Sequence, residues 1–254
     1  MRHLIIGDVH GMAEELRALV DRLAPGPEDT LVFVGDLVDK GPESPEVVAM
    51  VRALADRARV VLVEGNHEEK HRRFRRHLAA GSKVADQMGG AEEMRAITAE
   101  LSDADVAFLD TALPFHRIEA HGVLVVHAGI PGDMRRFPES VEVVGQMSNK
   151  QRKSFQRVLR TRFLSAETGK FLMLGRNEPG DPYWADVYDG RFGHVVFGHE
   201  PFLEGPRVFD HATGIDTGAV FGGPLTALVL GAGDPARSFV SVPSRGKYCA
   251  QFGE

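Results

Sequence analysis

Apolar residues along the chain fall into two alternating patterns. Short continuous runs, RHLII at 2–6, LVFVGD at 31–36, VVLVEGN at 60–66, VLVVHAGI at 123–130 and VVFGHE at 195–200, predict buried strands. Between the first of them lie segments with helical spacing. Leu16, Leu19, Val20 and Leu23 share one face of MAEELRALVDRLA at 12–24, and PEVVAMVRALADRA at 45–58 repeats the arrangement. Strands alternating with helices, and strands with no polar face, predict an α/β fold built on a parallel sheet covered on both faces. From 67 to about 112 the pattern is helical and charged, with a Gly-Gly break at 89 and 90. The stretch 131–190 is less regular, and GIDTGAVFGGPLTALVL at 214–230 reads as glycine-broken strands.

Five of the predicted strands end in polar residues of one chemical kind. LIIGDVHG supplies Asp8 and His10; LVFVGDLVDKGP supplies Asp36, Asp39 and Lys40; VVLVEGNHE supplies Asn66 and His67; VLVVHAGI supplies His127; VVFGHEP supplies His199. In an open α/β sheet the C-terminal strand ends line one crevice, so these side chains converge there. One histidine or one Gly-Asp at a strand end is ordinary turn chemistry; five such ends are a site. Asp, Asn and His offer oxygen and nitrogen donors without thiolate, a set suited to Mn, Fe, Zn or Mg. Two such cations activate a water and neutralise an in-line displacement at phosphorus.

Bulk properties narrow the partners. The 254 residues are 43% hydrophobic and 26% charged, with formal net charge −6. That composition suits a single domain over 1–254, and the acidic balance disfavours a generic grip on nucleic acid or an anionic membrane. The single cysteine, Cys249, excludes an internal disulfide framework. With no apolar leader after the first basic residue and no apolar run of spanning length, a cytoplasmic protein without membrane contact is expected.

GDVHG, GDLVDKGP, GNHE, HAG and FGH, in this order, resemble the calcineurin-like metallophosphoesterases, in particular the phosphoprotein phosphatase branch with the symmetrical bis(5′-nucleosyl)-tetraphosphatases and the bacterial serine/threonine protein phosphatases. The resemblance holds over about 1–70, 123–131 and 195–228, and is poor over a helical insert at about 70–115. It implies a calcineurin-like sandwich with a mixed, largely parallel sheet flanked by helices, and two divalent metal ions, manganese first, with Fe, Zn, Ni, Co or Mg as alternatives. By the same resemblance Asp8 and His10 bind the first metal, Asp36 bridges, and Asn66, His127 and His199 complete the second. His67 is then the general acid, steered by Asp39, and a metal-bridging hydroxide attacks phosphorus. Family members often read GHxH in the last motif; here Pro201 stands in the second histidine's place, which favours the phosphatase branch. Lys40 replaces the usual arginine of GDxVDRG and can grip phosphate only as a mobile point charge.

RTRF at 160–163 and IDTGAVFGGPLT at 215–226 resemble segments of the symmetrical tetraphosphatases, which implies that Arg160 and Arg162 clamp further phosphates, with Arg176 as a rival. Phe221 stands where that family has tryptophan. Asp216 either orients a histidine or serves its own turn, Trp184 and Tyr183 either stack on a base or pack internally, and Arg72, Arg73, Arg75 and Arg76 either guide a polyanion or pair with acidic neighbours. His71, His77, His116, His121, His194 and His211 belong to no motif and are assigned to surface or capping positions. The expected activity is hydrolysis of phosphoanhydrides in dinucleoside polyphosphates such as diadenosine tetraphosphate. The alternatives are a serine/threonine or broad-specificity protein phosphatase acting on phosphomonoesters, and a non-catalytic phosphate-binding module, whose mark would be a missing ligand or acid. Substrates are thus a phosphorylated small molecule or a phosphoprotein.

Overall fold

The computed structural model describes residues 1–231 and 237–250. β1 (Arg2–Ile6), α1 (Ala13–Leu23), β2 (Thr30–Phe33), α2 (Ser44–Leu54) and β3 (Arg59–Leu62) follow one another as the alternating pattern predicts. The charged stretch after β3 folds into α3 (Asn66–Ala79), α4 (Val84–Gln87), α5 (Ala91–Glu100) and α6 (Asp103–Leu109). Gly90 caps α5 at φ +75°, a left-handed conformation that suits glycine. Then come β4 (His116–Ile118), β5 (Val123–Val125), α7 (Val141–Gln146), α8 (Asn149–Phe155), α9 (Trp184–Val187), β6 (His194–Phe197), β7 (Arg207–Val208), β8 (Ala212–Gly214), β9 (Leu225–Gly231) and β10 (Arg237–Val242).

The strands form two five-stranded mixed sheets, in the orders β10-β9-β1-β2-β3 and β4-β5-β6-β8-β7. β1, β2 and β3 run parallel, as do β5, β6 and β8, and the outer strands pair antiparallel. Successive side chains of a strand point to opposite faces, and this alternation sorts the apolar runs into separate cores. Ile5, Val32 and Val61 face Val123, Val125 and Val196 across the gap between the sheets. Leu4, Ile6, Leu31 and Phe33 face outward to Leu16, Leu19, Val47 and Val51 of α1 and α2. On the far side of the second sheet, Leu124, Val195 and Phe197 pack with Phe155, Tyr183 and Trp184. Both faces of the central strands are buried as expected, one by helices and the other by the second sheet. Each fully buried Ile, Val or Leu contributes about 1.5–3 kcal/mol.

The charged helices join the first core: Leu101 and Leu109 pack with the α2 residues, and Arg52 Nε donates to Asp105 Oδ1 at 2.8 Å, tying α2 to α6. Phe74, Ala85 and Met94 form a small core of their own. Among the described residues no helix is long and apolar enough to cross a membrane.

Candidate active site

The loops that leave β1, β2, β3, β5 and β6 meet at one end of the sandwich. Direct bonds stitch them together: His199 N donates to Asp8 Oδ1 at 3.2 Å, His127 Nδ1 to Val34 O at 2.9 Å, His67 N to Asp36 Oδ1 at 3.0 Å, and Val9 N to Asp36 O at 3.1 Å. The approach is close enough to require glycine. A Cβ on Gly198 would lie 1.9 Å from Asp8 Oδ1, and one on Gly65 would lie 2.2 Å from Asp36 Oδ1. Six described non-glycine residues have positive φ, and five of them, His10, Asp36, Asp39, Lys40 and His199, are at this site. Backbone strain of about 1–3 kcal/mol each is thus concentrated where side chains must be aimed rather than relaxed.

Asp36 is the hub. Its Oδ2 lies 3.4 Å from His127 Nε2, 3.5 Å from His10 Nε2 and 3.8 Å from His67 Nε2, and His10 Nε2 is 3.9 Å from Asp8 Oδ2. Ligand atoms of Asp36, His127 and His199 converge within 4.8 Å, as do those of His10, Asp36 and His67. His10 Nδ1 and His127 Nδ1 each donate to a main-chain carbonyl, of Val38 and Val34, so both Nε2 atoms carry the ring's lone pair. His127 Nε2 sits 3.0 Å from Asn66 Oδ1, an acceptor facing acceptors. His199 Nε2 is buried with no hydrogen-bond partner. Lone pairs crowded together in a buried place repel unless a cation lies among them, so the donor set fits divalent metal.

Electrostatics follow from burial and crowding. Burial, then Asp216 and Asp36, push the Asp8 carboxyl well above the usual carboxylate range. Burial opposes the ionisation of Asp36, but His127, His67 and His10 outweigh it and hold it well below that range. Burial and the Lys40 ammonium lower His10 to about 3, and burial with Arg162 and His127 lowers His199 well below its ordinary value. Both are therefore neutral, the form that ligates metal. His67 differs: burial lowers it, but Asp36 and Asp39 outweigh burial and raise it.

The second ring decides orientation. Asp39 takes His67 Nδ1 on Oδ2 and His71 Nε2 on Oδ1, each at 2.6 Å. Glu68 accepts the Asp36 and Gly65 amides on Oε2 at 2.7 and 2.9 Å and the Leu37 amide on Oε1 at 2.8 Å, pinning the backbone of the Asp36 turn. Sequence reasoning gave neither His71 nor Glu68 a role at the site, and His71 corrects its assignment to a surface or capping position: its side chain is 0% exposed. The signal was present in HEEKH, where four-residue spacing places His67 and His71 on one helix face. Of the other histidines assigned to surface or capping positions, His194 bonds Thr213 Oγ1 at 2.9 Å, His77, His116 and His121 are half-buried, and His211 is exposed.

Lys40 Nζ donates to His10 Nε2 at 2.7 Å and lies 5.1 Å above the Phe221 ring. Lys40, Arg160 and Arg162 line one pocket of about 490 Å³ with Asp36, Asn66, His67 and His199. Arg160 is held by Glu69 at 2.8 Å; Arg162 is held by Glu200 and by the His199 carbonyl at 2.8 Å. Arg176 is exposed and does not line this pocket. Asp216 serves its own turn, accepting Gly218 N at 2.9 Å. Trp184 and Tyr183 are buried in the aromatic core. Arg72, Arg73 and Arg75 pair with Glu64, Glu69 and Asp110.

The family model described as calcineurin-like phosphoesterase matches residues 1–203. The chain belongs to this family. It is 32% identical to a bis(5′-nucleosyl)-tetraphosphatase PrpE [asymmetrical] of Oceanobacillus iheyensis, covering 97% of this chain and 94% of the relative. It is 34% identical to the protein of the same name from Bacillus subtilis, over 96% and 95%. A crystal structure reported under the name of a diadenosine tetraphosphatase superposes with TM-score 0.68 at 27% identity, covering 96% and 95%. A yeast protein serine/threonine phosphatase, at 15% identity and TM-score 0.60, over 95% and 79%, shares the fold. This member is thus a metal-dependent phosphoesterase, a hydrolase with the calcineurin-like sandwich.

Proposed function

We propose that this chain hydrolyses a phosphoanhydride bond of a dinucleoside polyphosphate such as diadenosine tetraphosphate, in the cytoplasm and with manganese as the metal. The observation that carries the reading is three cationic side chains, Lys40, Arg160 and Arg162, around the one pocket into which Asp36, Asn66, His67 and His199 open. Three cationic donors at one pocket, the two arginines held in place by Glu69 and Glu200, suit a chain of phosphates better than a single phosphomonoester. The full-length relatives carry the asymmetrical name, so we take that register, with a nucleoside triphosphate and a monophosphate as products, in place of the symmetrical one implied by the Arg160 and Asp216 segments.

Asp8 and His10 would hold one cation, Asn66, His127 and His199 the other, with Asp36 shared. Bound there, two divalent ions neutralise charge on phosphate oxygens and acidify a water. Arg162, braced by Glu200, and Arg160, braced by Glu69, hold the non-reacting phosphates; Lys40 supplies a point charge. His67, whose Nδ1 donates to Asp39, carries a proton on Nε2 in the imidazolium form that Asp36 and Asp39 favour, and it delivers that proton to the leaving oxygen.

The test is metal-stripped protein reconstituted with manganese and offered diadenosine tetraphosphate, a phosphoserine peptide and an aryl phosphate. A triphosphate with a monophosphate supports the proposal. Two diphosphates restore the symmetrical register, and turnover of the peptide alone transfers the protein to the phosphatases.

A further inference from the structure

The pocket has a second, apolar side. Beside the cations, Phe163, Phe171, Met173, Leu174, Pro201 and Phe221 form its apolar wall, with the Lys40 ammonium over the Phe221 ring. Met173 is 70% and Leu174 61% exposed, an unusual place for large apolar side chains. Their loop is not loose. Leu172 N donates to Phe163 O at 3.0 Å, Arg176 N to Met173 O at 3.0 Å and Ser165 N to Lys170 O at 2.8 Å, and Leu164 bridges Phe171. Backbone bonds therefore order the segment that carries these two exposed, pocket-lining side chains.

Phosphate transfer uses none of these groups. A phosphoryl centre needs cations, and an apolar wall beside it needs a flat, weakly hydrated body attached to the phosphate. The geometry points to a nucleobase subsite made by Met173 and Leu174 with Phe171 and Phe221, which seats the base of the nucleotide whose phosphates lie on Lys40, Arg160 and Arg162. This rests on the reading of the substrate as a nucleotide. Apart from the methionine sulfur, the wall's side chains present no hydrogen-bonding atoms, so the subsite recognises the π-face and not the edge of the base. Adenine and guanine are then held alike.

The experiment is calorimetric titration of the manganese-loaded protein with AMP, GMP and ribose 5-phosphate. AMP and GMP bind within about threefold of one another and about tenfold more tightly than ribose 5-phosphate, which has the phosphate and sugar but no base. The double variant Met173→Ser/Leu174→Ser brings AMP to within about twofold of ribose 5-phosphate, while Met173→Leu/Leu174→Met, which keeps the apolar surface, retains the preference. Equal binding of AMP and ribose 5-phosphate by the unaltered protein overturns the subsite, and so does a preference that survives the serine pair. Base preference without cleavage of diadenosine tetraphosphate would defeat the proposed substrate and leave the subsite standing.

Discussion

His71 Nε2 donates to Asp39 Oδ1 at 2.6 Å while His67 Nδ1 occupies the other oxygen at the same distance, so one carboxylate locks two histidines a helical turn apart. Burial opposes the charge on Asp39, but the bonds from His67 and His71 outweigh it and hold the carboxyl below its usual range. Removing His71 leaves Oδ1 unpaired and lets Asp39 and His67 turn. His71→Ala should lower turnover by about tenfold to a hundredfold with poor leaving groups and much less with activated aryl phosphates. His71→Gln, which can still donate, should recover part of the loss. A loss of equal size for all leaving groups would reduce His71 to a packing residue.

His67→Asn removes the acid itself. Turnover on a poor leaving group should fall by roughly 10²–10⁴-fold, with manganese content unchanged. Loss of metal together with activity would instead make His67 a ligand, a role that its Nε2, 3.8 Å from Asp36 Oδ2, could also serve.

Metal should stabilise the fold, because the crowded lone pairs of Asp36, Asn66, His127 and His199 repel without it. Manganese at a hundredfold excess over its dissociation constant contributes about 2.7 kcal/mol per site, which raises the melting temperature of a chain this size by roughly 5–10 °C per site. His199→Ala should reduce bound manganese towards one ion and shrink the rise. Thermal scans beside metal analysis decide; an unmoved melting temperature would contradict the site.

Asp29 tests acid stability far from the catalysis. Its carboxylate takes Arg2 N at 2.8 Å, Gly26 N at 3.0 Å and Arg2 Nε at 3.2 Å, and the Arg2 bonds hold its pKa below the ordinary carboxylate value despite burial. A depressed folded-state pKa gives stability that is complete above the unfolded value near pH 4 and is lost as pH falls through the folded one. Asp29→Asn should therefore cost about 1–2 kcal/mol at neutral pH, since the arginine is partly exposed. The gap between the two proteins should hold from about pH 8 to 5 and close below about pH 4. Denaturant melts across that range measure it.

Strand and helix identities were legible along the chain because their signals are local: a period of two or an unbroken apolar run for β1, β2 and β3, a period of 3.6 for α1 and α2. That Asp8, Asp36, Asn66, His127 and His199 would gather at one place was legible too, since each follows such a run and parallel strands all exit at the same end. What covers the inner face of those strands was not. An apolar run demands burial without naming its partner, and only the folded chain sets Ile5 against Val125 and pairs β1 with β9 more than two hundred residues away. The same limit hid His71, whose worth depends on where Asp39 lies, and the Met173–Leu174 wall, whose exposure no pattern in an irregular segment foretells. Local chemistry determined which side chains could act; long-range packing decided which of them touch.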